Sequence, residues 1–349
     1  MVEEITPPPH ASGVFLFNCE MIKAGIVGIS GYTGVELLKL LLHHRQVQVA
    51  YIASRSHADK RIDQLYPFLK GFSNLVIEKI DIEKIKTLDV VFLALPHTVS
   101  AGIVKDIFPH VKVVDLSADF RLDIDVYEKW YKVRHPAKEL IDEAVYGISE
   151  LNRDKIKHCS LLANPGCYAT SVILALAPIA DLIDDSVIID AKSGVSGAGK
   201  SLKESMLFCE VNENFKAYAV GSHRHVAEIE QQFGLNNRVV FTAHLLPIQR
   251  GILSTIYVNL KRAVDIKIFD EFYKSEFFVR VVDNPPQIVD VKGTNFCNIY
   301  PALIDEKKLI IVSVIDNLIK GAAGQAIQNM NIMFGLDEKE GLYPAPYYP

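Results

Sequence analysis

The segment Ile22-Lys-Ala-Gly-Ile-Val-Gly-Ile-Ser-Gly-Tyr-Thr-Gly34 restricts the fold more than any other stretch of the chain. Residues 22–29 are apolar enough for a buried strand, and glycines follow at once. Val35, Leu37, Leu38, Leu41 and Leu42 then set a helical spacing over 34–44. A strand that runs through glycines into a helix is how a parallel β–α unit begins. Three more strand-like runs, 47–53, 89–95 and 112–116, alternate with a helical segment over 100–108. Run 89–95 is largely apolar, as strands covered on both faces are, and 112–116 reads as another buried strand. The pattern predicts a doubly wound α/β domain.

From about residue 165 the texture changes. A helix over 169–179 leads into β-like runs at 186–191, 238–245, 254–260, 277–282 and 309–315, without regular helices between them. That predicts an α+β domain with a mostly antiparallel sheet. A last helix is expected over 321–333. The predicted division is an N-terminal extension (1–20), a nucleotide-binding domain (21–165) completed by the C-terminal segment of about 318–349, and a catalytic, substrate-binding domain (166–317). A length of 349 residues suffices for two cores.

Composition narrows the function. A net charge of −5 argues against a general nucleic-acid binder. No apolar run approaches the roughly 20 residues that span a bilayer. The five cysteines, Cys19, Cys159, Cys167, Cys209 and Cys297, are odd in number and form no CxxC pair. A disulfide framework and a metal site are not expected, and a reducing, cytoplasmic setting is. The acidic start Met1-Val-Glu-Glu4 and the short apolar patch at 14–17 do not read as a leader, and Met21 is the expected start of the folded chain.

Gly28, Gly31 and Gly34 lie between the first strand and the first helix, where backbone N–H groups can meet phosphates. Their spacing departs from the standard G-x-G-x-x-G. Folds that bind NAD place an acidic residue about 20 residues later, on the ribose hydroxyls. Here the second strand ends Ala53-Ser-Arg-Ser56, and no Asp or Glu occurs between Val47 and Ala58. Arg55 offers a charged fork and Ser54 a hydroxyl to a 2′-phosphate, so NADP(H) is expected, held by a Rossmann-type domain.

Asn164-Pro-Gly-Cys-Tyr-Ala-Thr170 turns sharply and then enters a helix at or just after Cys167. A thiol at that position meets the positive end of the helix dipole, which predicts a lowered pKa and a nucleophilic thiolate. Cys159, Cys209 and Cys297 read as small core hydrophobes. A proton shuttle is available in Ser222-His-Arg-His225, where either His223 or His225 could face the thiol. Segment 194–201 fits the P-loop letters G-x-x-x-x-G-K-[ST], but it lies mid-chain in the expected antiparallel domain. That context favours a mobile glycine-rich loop instead, one able to wrap a small anion or shape an active-site wall.

Taken together, seven segments resemble the N-acetyl-γ-glutamyl-phosphate reductase family of arginine biosynthesis. They are Gly28-Ile-Ser-Gly-Tyr-Thr-Gly-Val-Glu-Leu37, Asp115-Leu-Ser-Ala-Asp-Phe-Arg121, Ala144-Val-Tyr-Gly147, Asn164-Pro-Gly-Cys-Tyr-Ala-Thr170, Ser193-Gly-Val-Ser-Gly-Ala-Gly199, His223-Arg-His225 and Asp316-Asn-Leu-Ile-Lys-Gly-Ala-Ala-Gly-Gln325. The resemblance spans the chain after Met21. It implies an oxidoreductase in which Cys167 attacks an acyl phosphate and the resulting thioester accepts a hydride, while His223 or His225 is the acid/base. It implies that Gly28, Ser30, Gly31, Tyr32, Thr33 and Gly34, with Ser54, Arg55, Leu95, Pro96 and Asn317, hold NADP(H). Arg121, Asn164, Ser196 and Arg224 form the implied substrate set. No metal is implied, and a homodimer or homotetramer is. Lys200 stands where arginine is as readily expected, and it completes the P-loop letters by coincidence. Rival readings are an aspartate-semialdehyde dehydrogenase, a reductase of a carrier-linked aminoadipyl or glutamyl phosphate and, outside catalysis, an NADP-sensing binding protein.

Overall fold

The computed structural model describes residues 21–342; the expected extension 1–20, with Cys19, and the tail 343–349 lie outside the described residues. Strands β1 (Ile22–Val27), β2 (Val47–Ala53), β3 (Val90–Leu93), β4 (Lys112–Asp115), β5 (Ala144–Tyr146) and β6 (Leu161–Ala163) form one sheet in the order β2-β1-β3-β4-β6-β5. Every pairing in it is parallel. The chain places β2 on one side of β1 and β3 on the other. The loops leaving β1 and β3 therefore diverge and open a crevice at the carboxyl ends of the strands.

The second sheet contains β7 (Val187–Gly194), β8 (Lys216–Tyr218), β9 (Val239–Leu246), β10 (Ile252–Asn259), β11 (Val279–Val281), β12 (Cys297–Asp305) and β13 (Lys308–Ile315), in the order β11-β12-β13-β10-β7-β9-β8. Four pairings are antiparallel, while β7–β9 and β11–β12 are parallel, so the sheet is mixed with an antiparallel majority. Strand β12 departs from expectation because it contains Pro301, which reads as a strand breaker. It is tolerated because β12 pairs with β11 only over Cys297–Ile299, so beyond that point one flank is an open edge that needs no N–H.

One buried core runs across both parts. Ile26, Leu37 and Leu38 of the first sheet and its helix pack in one buried cluster with Val291, Phe296 and Val314 and with Ala326, Ile327 and Met330 of the closing helix, Gly324–Met333. Each of the larger side chains among these contributes about 1.5–3 kcal/mol by leaving water. That helix begins three residues later than its spacing predicts, because Ile319–Ala323 form a π-turn. The first helix, Tyr32–Leu41, begins two residues earlier than predicted, with Gly31 as its N-cap.

Candidate active site

The glycines of the first loop have separate physical reasons. Gly28 has φ +97°, and a Cβ there would lie 2.2 Å from the Ala94 carbonyl oxygen. A Cβ on Gly34 would lie 2.4 Å from the Gly28 oxygen. Both positions demand glycine for packing. Gly31 does not: its Cβ would meet only the Gly28 oxygen, at 3.6 Å, and it faces a cleft of about 710 Å³. Glycine there leaves the bare helix N-terminus open to a phosphate.

The cleft runs along the carboxyl ends of the parallel strands. Gly28, Ser30, Gly31, Tyr32 and Thr33 line it after β1, Ser54, Arg55, Ser56 and His57 after β2, and Leu95, Pro96 and His97 after β3. Ser54 is buried and bonds the Ser30 hydroxyl at 3.0 Å, whereas Arg55 is exposed. The opposite wall is the 196–201 loop with Asn317. Asn317 donates to the Ser196 hydroxyl at 2.9 Å and accepts from the Gly251 N–H at 2.7 Å, so it braces that loop. Lys200 donates to the Tyr66 hydroxyl at 3.2 Å, and Tyr66 donates to the Ser30 carbonyl at 2.8 Å. No helix opens at the end of the P-loop letters: Val195–Ala198 is a 3₁₀ turn inside them, and the next elements are the 3₁₀ turn Glu204–Met206 and the short helix Phe208–Val211, so they lack the adjoining helix N-terminus that holds phosphates in a P-loop.

Strand β6 delivers Asn164, and Gly166 caps the buried helix Cys167–Leu176, so Cys167 is the first helical residue. Its surroundings are tight. A Cβ on Gly321, in the π-turn, would lie 2.7 Å from the Cys167 Cβ, and one on Gly166 would lie 2.5 Å from His225 Nε2. Cys167 borders both the large cleft and a second cavity of about 340 Å³. The expected lowering of its pKa is not found. Burial pushes the thiol up to about 11, against the opposing pull of the Tyr168 N–H and Arg121. Desolvation outweighs the helix dipole, so the thiol needs a base.

His225 opens the helix His225–Phe233 and lines both cavities, whereas His223 lines only the smaller one. Burial holds His225 down at about 3 and His223 at about 4, so both are neutral near pH 7 and able to accept a proton. Three residues beyond His225, and so on the same helical face, stands Glu228, which the sequence reading did not single out. Its carboxylate accepts from the Gly166 N–H at 2.9 Å, the Tyr146 hydroxyl at 2.7 Å and Arg121 at 3.0 Å, and lies 3.9 Å from His225 Nε2. Burial alone would raise its pKa, but Arg121 and His225 outweigh that and hold it at about 2.

The four residues expected to bind substrate separate in space. Arg121, Asn164 and Ser196 line the large cleft, and only Arg224 lines the small cavity. Arg121 also donates to the carbonyls of Asn164, at 2.7 Å, and Leu116, at 2.8 Å, which ties it to the nucleophile loop. Asn164 is buried and bonded to Ala322 and Asn329. The small cavity is lined by Tyr131, Lys203, Tyr218, His223 and Arg224 among others, with two cations and no carboxylate. Arg224 sits over the Tyr131 ring at 4.6 Å.

The parallel nucleotide crevice, the mixed second sheet and a cysteine between them define the semialdehyde dehydrogenase class. Two family models agree: "Semialdehyde dehydrogenase, NAD binding domain" matches residues 23–159, and "Semialdehyde dehydrogenase, dimerisation domain" matches residues 167–317. Solved aspartate semialdehyde dehydrogenases share the fold. One from Candida albicans, with NADP, superposes with a TM-score of 0.71 at 16% identity over 90% of this chain and 98% of its own. One from Vibrio cholerae gives 0.67 at 16% identity over 90% and 98%. Much closer in sequence is the N-acetyl-gamma-glutamyl-phosphate reductase of Caldicellulosiruptor bescii, 52% identical over 92% of this chain and 98% of that protein. Its counterpart from Clostridium novyi is 47% identical over the same shares. The chain belongs to the N-acetyl-γ-glutamyl-phosphate reductase family.

Proposed function

We propose that this chain reduces N-acetyl-γ-glutamyl phosphate to N-acetylglutamate 5-semialdehyde and phosphate in arginine biosynthesis, in the cytoplasm, with NADPH as reductant. The observation that carries the reading is Cys167 at the first turn of a buried helix, between a nucleotide-sized cleft and a small cationic cavity, with neutral His225 facing both. The cleft suits the cofactor: an open helix N-terminus at Gly31 for its pyrophosphate, and Ser54 with the exposed Arg55 for a 2′-phosphate where NAD folds carry an acid. The small cavity suits an anionic acylated amino acid, with Lys203 and Arg224 as its cations.

His225 takes the Cys167 proton, and the thiolate and imidazolium stabilise each other as neither neutral partner could. The sulfur attacks the acyl carbon. The C–S bond forms, the bond to the phosphate oxygen breaks, and the departing phosphate takes the proton from His225. A nicotinamide cofactor held along the cleft by the Gly31 turn, Ser54 and Arg55 would supply the hydride that reduces the thioester carbon. The resulting oxyanion on Cys167 collapses, the C–S bond breaks, the aldehyde leaves, and the thiolate takes one proton from water. Glu228 keeps His225 and the Gly166 turn in register through its bonds to Gly166, Tyr146 and Arg121 and through its charge beside His225. Dividing the reduction in this way replaces one hard step with easier ones.

The test is NADP reduction in the reverse direction, dependent on both phosphate and aldehyde. The reading predicts turnover with N-acetylglutamate semialdehyde and strong preference for NADP over NAD. Preference for aspartate semialdehyde would favour the dehydrogenase alternative, turnover only of a carrier-linked aldehyde would favour the carrier-linked reductase, and NADP binding without turnover would favour a sensor.

A further inference from the structure

Five residues face both cavities: His97, Cys167, Gly197, Ala198 and His225. The reacting carbon has to meet the sulfur from one side and the hydride from the other, so it sits where the two cavities join. Of the three titratable side chains in this group, His97 is the one whose purpose the mechanism leaves unstated. Its position is built with care. The Ala118 N–H donates to His97 Nδ1 at 3.0 Å, which fixes the neutral ring as the tautomer carrying hydrogen on Nε2. The ring rests edge-on against Tyr131, with centroids 5.6 Å apart. The next residue, Thr98, has φ +72°, a conformation that a β-branched residue adopts only under constraint.

The constraint is Asp119. Its fully buried carboxylate accepts from the Thr98 N–H at 2.6 Å, the Ala101 N–H at 3.0 Å and the Tyr127 hydroxyl at 3.0 Å. Strain held by a buried clamp beside a cleft is typical of functional positions. The Nδ1 edge is engaged with the backbone, and the Nε2–H is left to the open cleft.

We infer that His97 is a catalytic residue: its Nε2–H donates to the oxygen of the reacting carbonyl and stabilises the negative charge that develops there when sulfur or hydride adds. This rests on Cys167 being the nucleophile. Desolvation first, then the charge of Arg121, hold His97 down at about 4, so the ring stays a neutral donor through the working range and leaves proton transfer to His225. A fixed donor aimed at developing charge is worth about 10²–10³-fold in rate.

The two side-chain amides separate this role from a structural one. In His97→Asn the amide reaches only as far as Nδ1, so it keeps the Ala118 bond and loses the cleft donor. In His97→Gln the amide reaches the Nε2 position and restores the donor. The readout is the single-turnover burst of NADPH formed from aldehyde and NADP in the absence of phosphate. We expect His97→Asn to slow the burst about 100-fold with an unchanged melting temperature, and His97→Gln to stay within about tenfold of wild type. A burst of normal rate in His97→Asn, or a change confined to the KM for phosphate, overturns the assignment while leaving Cys167 in place. A wild-type chain with no burst overturns both.

Discussion

At the scale of single residues, the chemistry depends on opposing environments a few ångströms apart. Burial raises the Cys167 thiol and lowers both neighbouring histidines, while Glu228 stays ionised because Arg121 faces it inside the protein. Asn164-Pro-Gly-Cys167 is legible in the sequence because a turn and a helix start are local events. Glu228, Tyr146 and His97 are not, since their meaning comes from contacts across 21 to 107 residues of chain, from Ala118 to His97 up to Arg121 to Glu228. The helix dipole gives the wrong sign for the Cys167 pKa because the sequence does not show how deeply the sulfur is covered. Arg55 is the clearest residue-scale test of the cofactor. It is exposed at the mouth of the cleft, and no carboxylate pairs with it among the described residues. In Arg55→Ala the KM for NADPH should rise about tenfold or more while that for NADH barely moves, as expected for a lost charge-assisted phosphate contact of about 1.5–3 kcal/mol. An unchanged NADPH/NADH ratio in steady-state kinetics would remove Arg55 from the 2′-phosphate site.

At the scale of elements, period and glycine placement gave the first sheet's opening strands and helices to within a few residues. What they did not give were β5 and β6, three residues each, too short for any hydrophobic period to show. Nor did they give β12, where Pro301 argues locally against a strand that the sheet edge permits. The π-turn at Ile319–Ala323 was invisible for a related reason. It exists because Gly321 must pass the Cys167 side chain and its N–H bonds the Asp316 carbonyl, and both are consequences of packing. Such a turn beside the nucleophile is a common place to find one. Asp316 is itself anchored by Arg250, which also meets Glu36 of the first helix at 3.2 Å, so one ion network joins the cofactor helix to the second sheet.

At the scale of the whole molecule, the site exists only because two sheets meet: the parallel one supplies the cleft and Cys167, and the mixed one supplies the loop wall and the small cavity. The face of the mixed sheet turned away from the nucleophile helix remains open. Across it Val240, Ile188, Tyr257 and Ile310 are cross-strand neighbours in one row, and Ile188 is 48% and Val240 54% exposed. An apolar row of this kind is what a subunit contact covers, and the matching family model describes this part of the chain as a dimerisation domain. Sedimentation should therefore give at least twice the chain mass of 39.0 kDa for wild type and a shift to monomer for Ile188→Asp; a monomeric wild type would contradict this. The claim on which the whole account depends is the covalent one. The protein should be mixed with N-acetyl-γ-glutamyl phosphate without reductant, quenched, digested and weighed peptide by peptide. The account predicts one acyl group per chain, on the peptide carrying Cys167, discharged on addition of NADPH and absent in Cys167→Ser. Unmodified Cys167 in a preparation that turns over, or equal activity in Cys167→Ser, would contradict it.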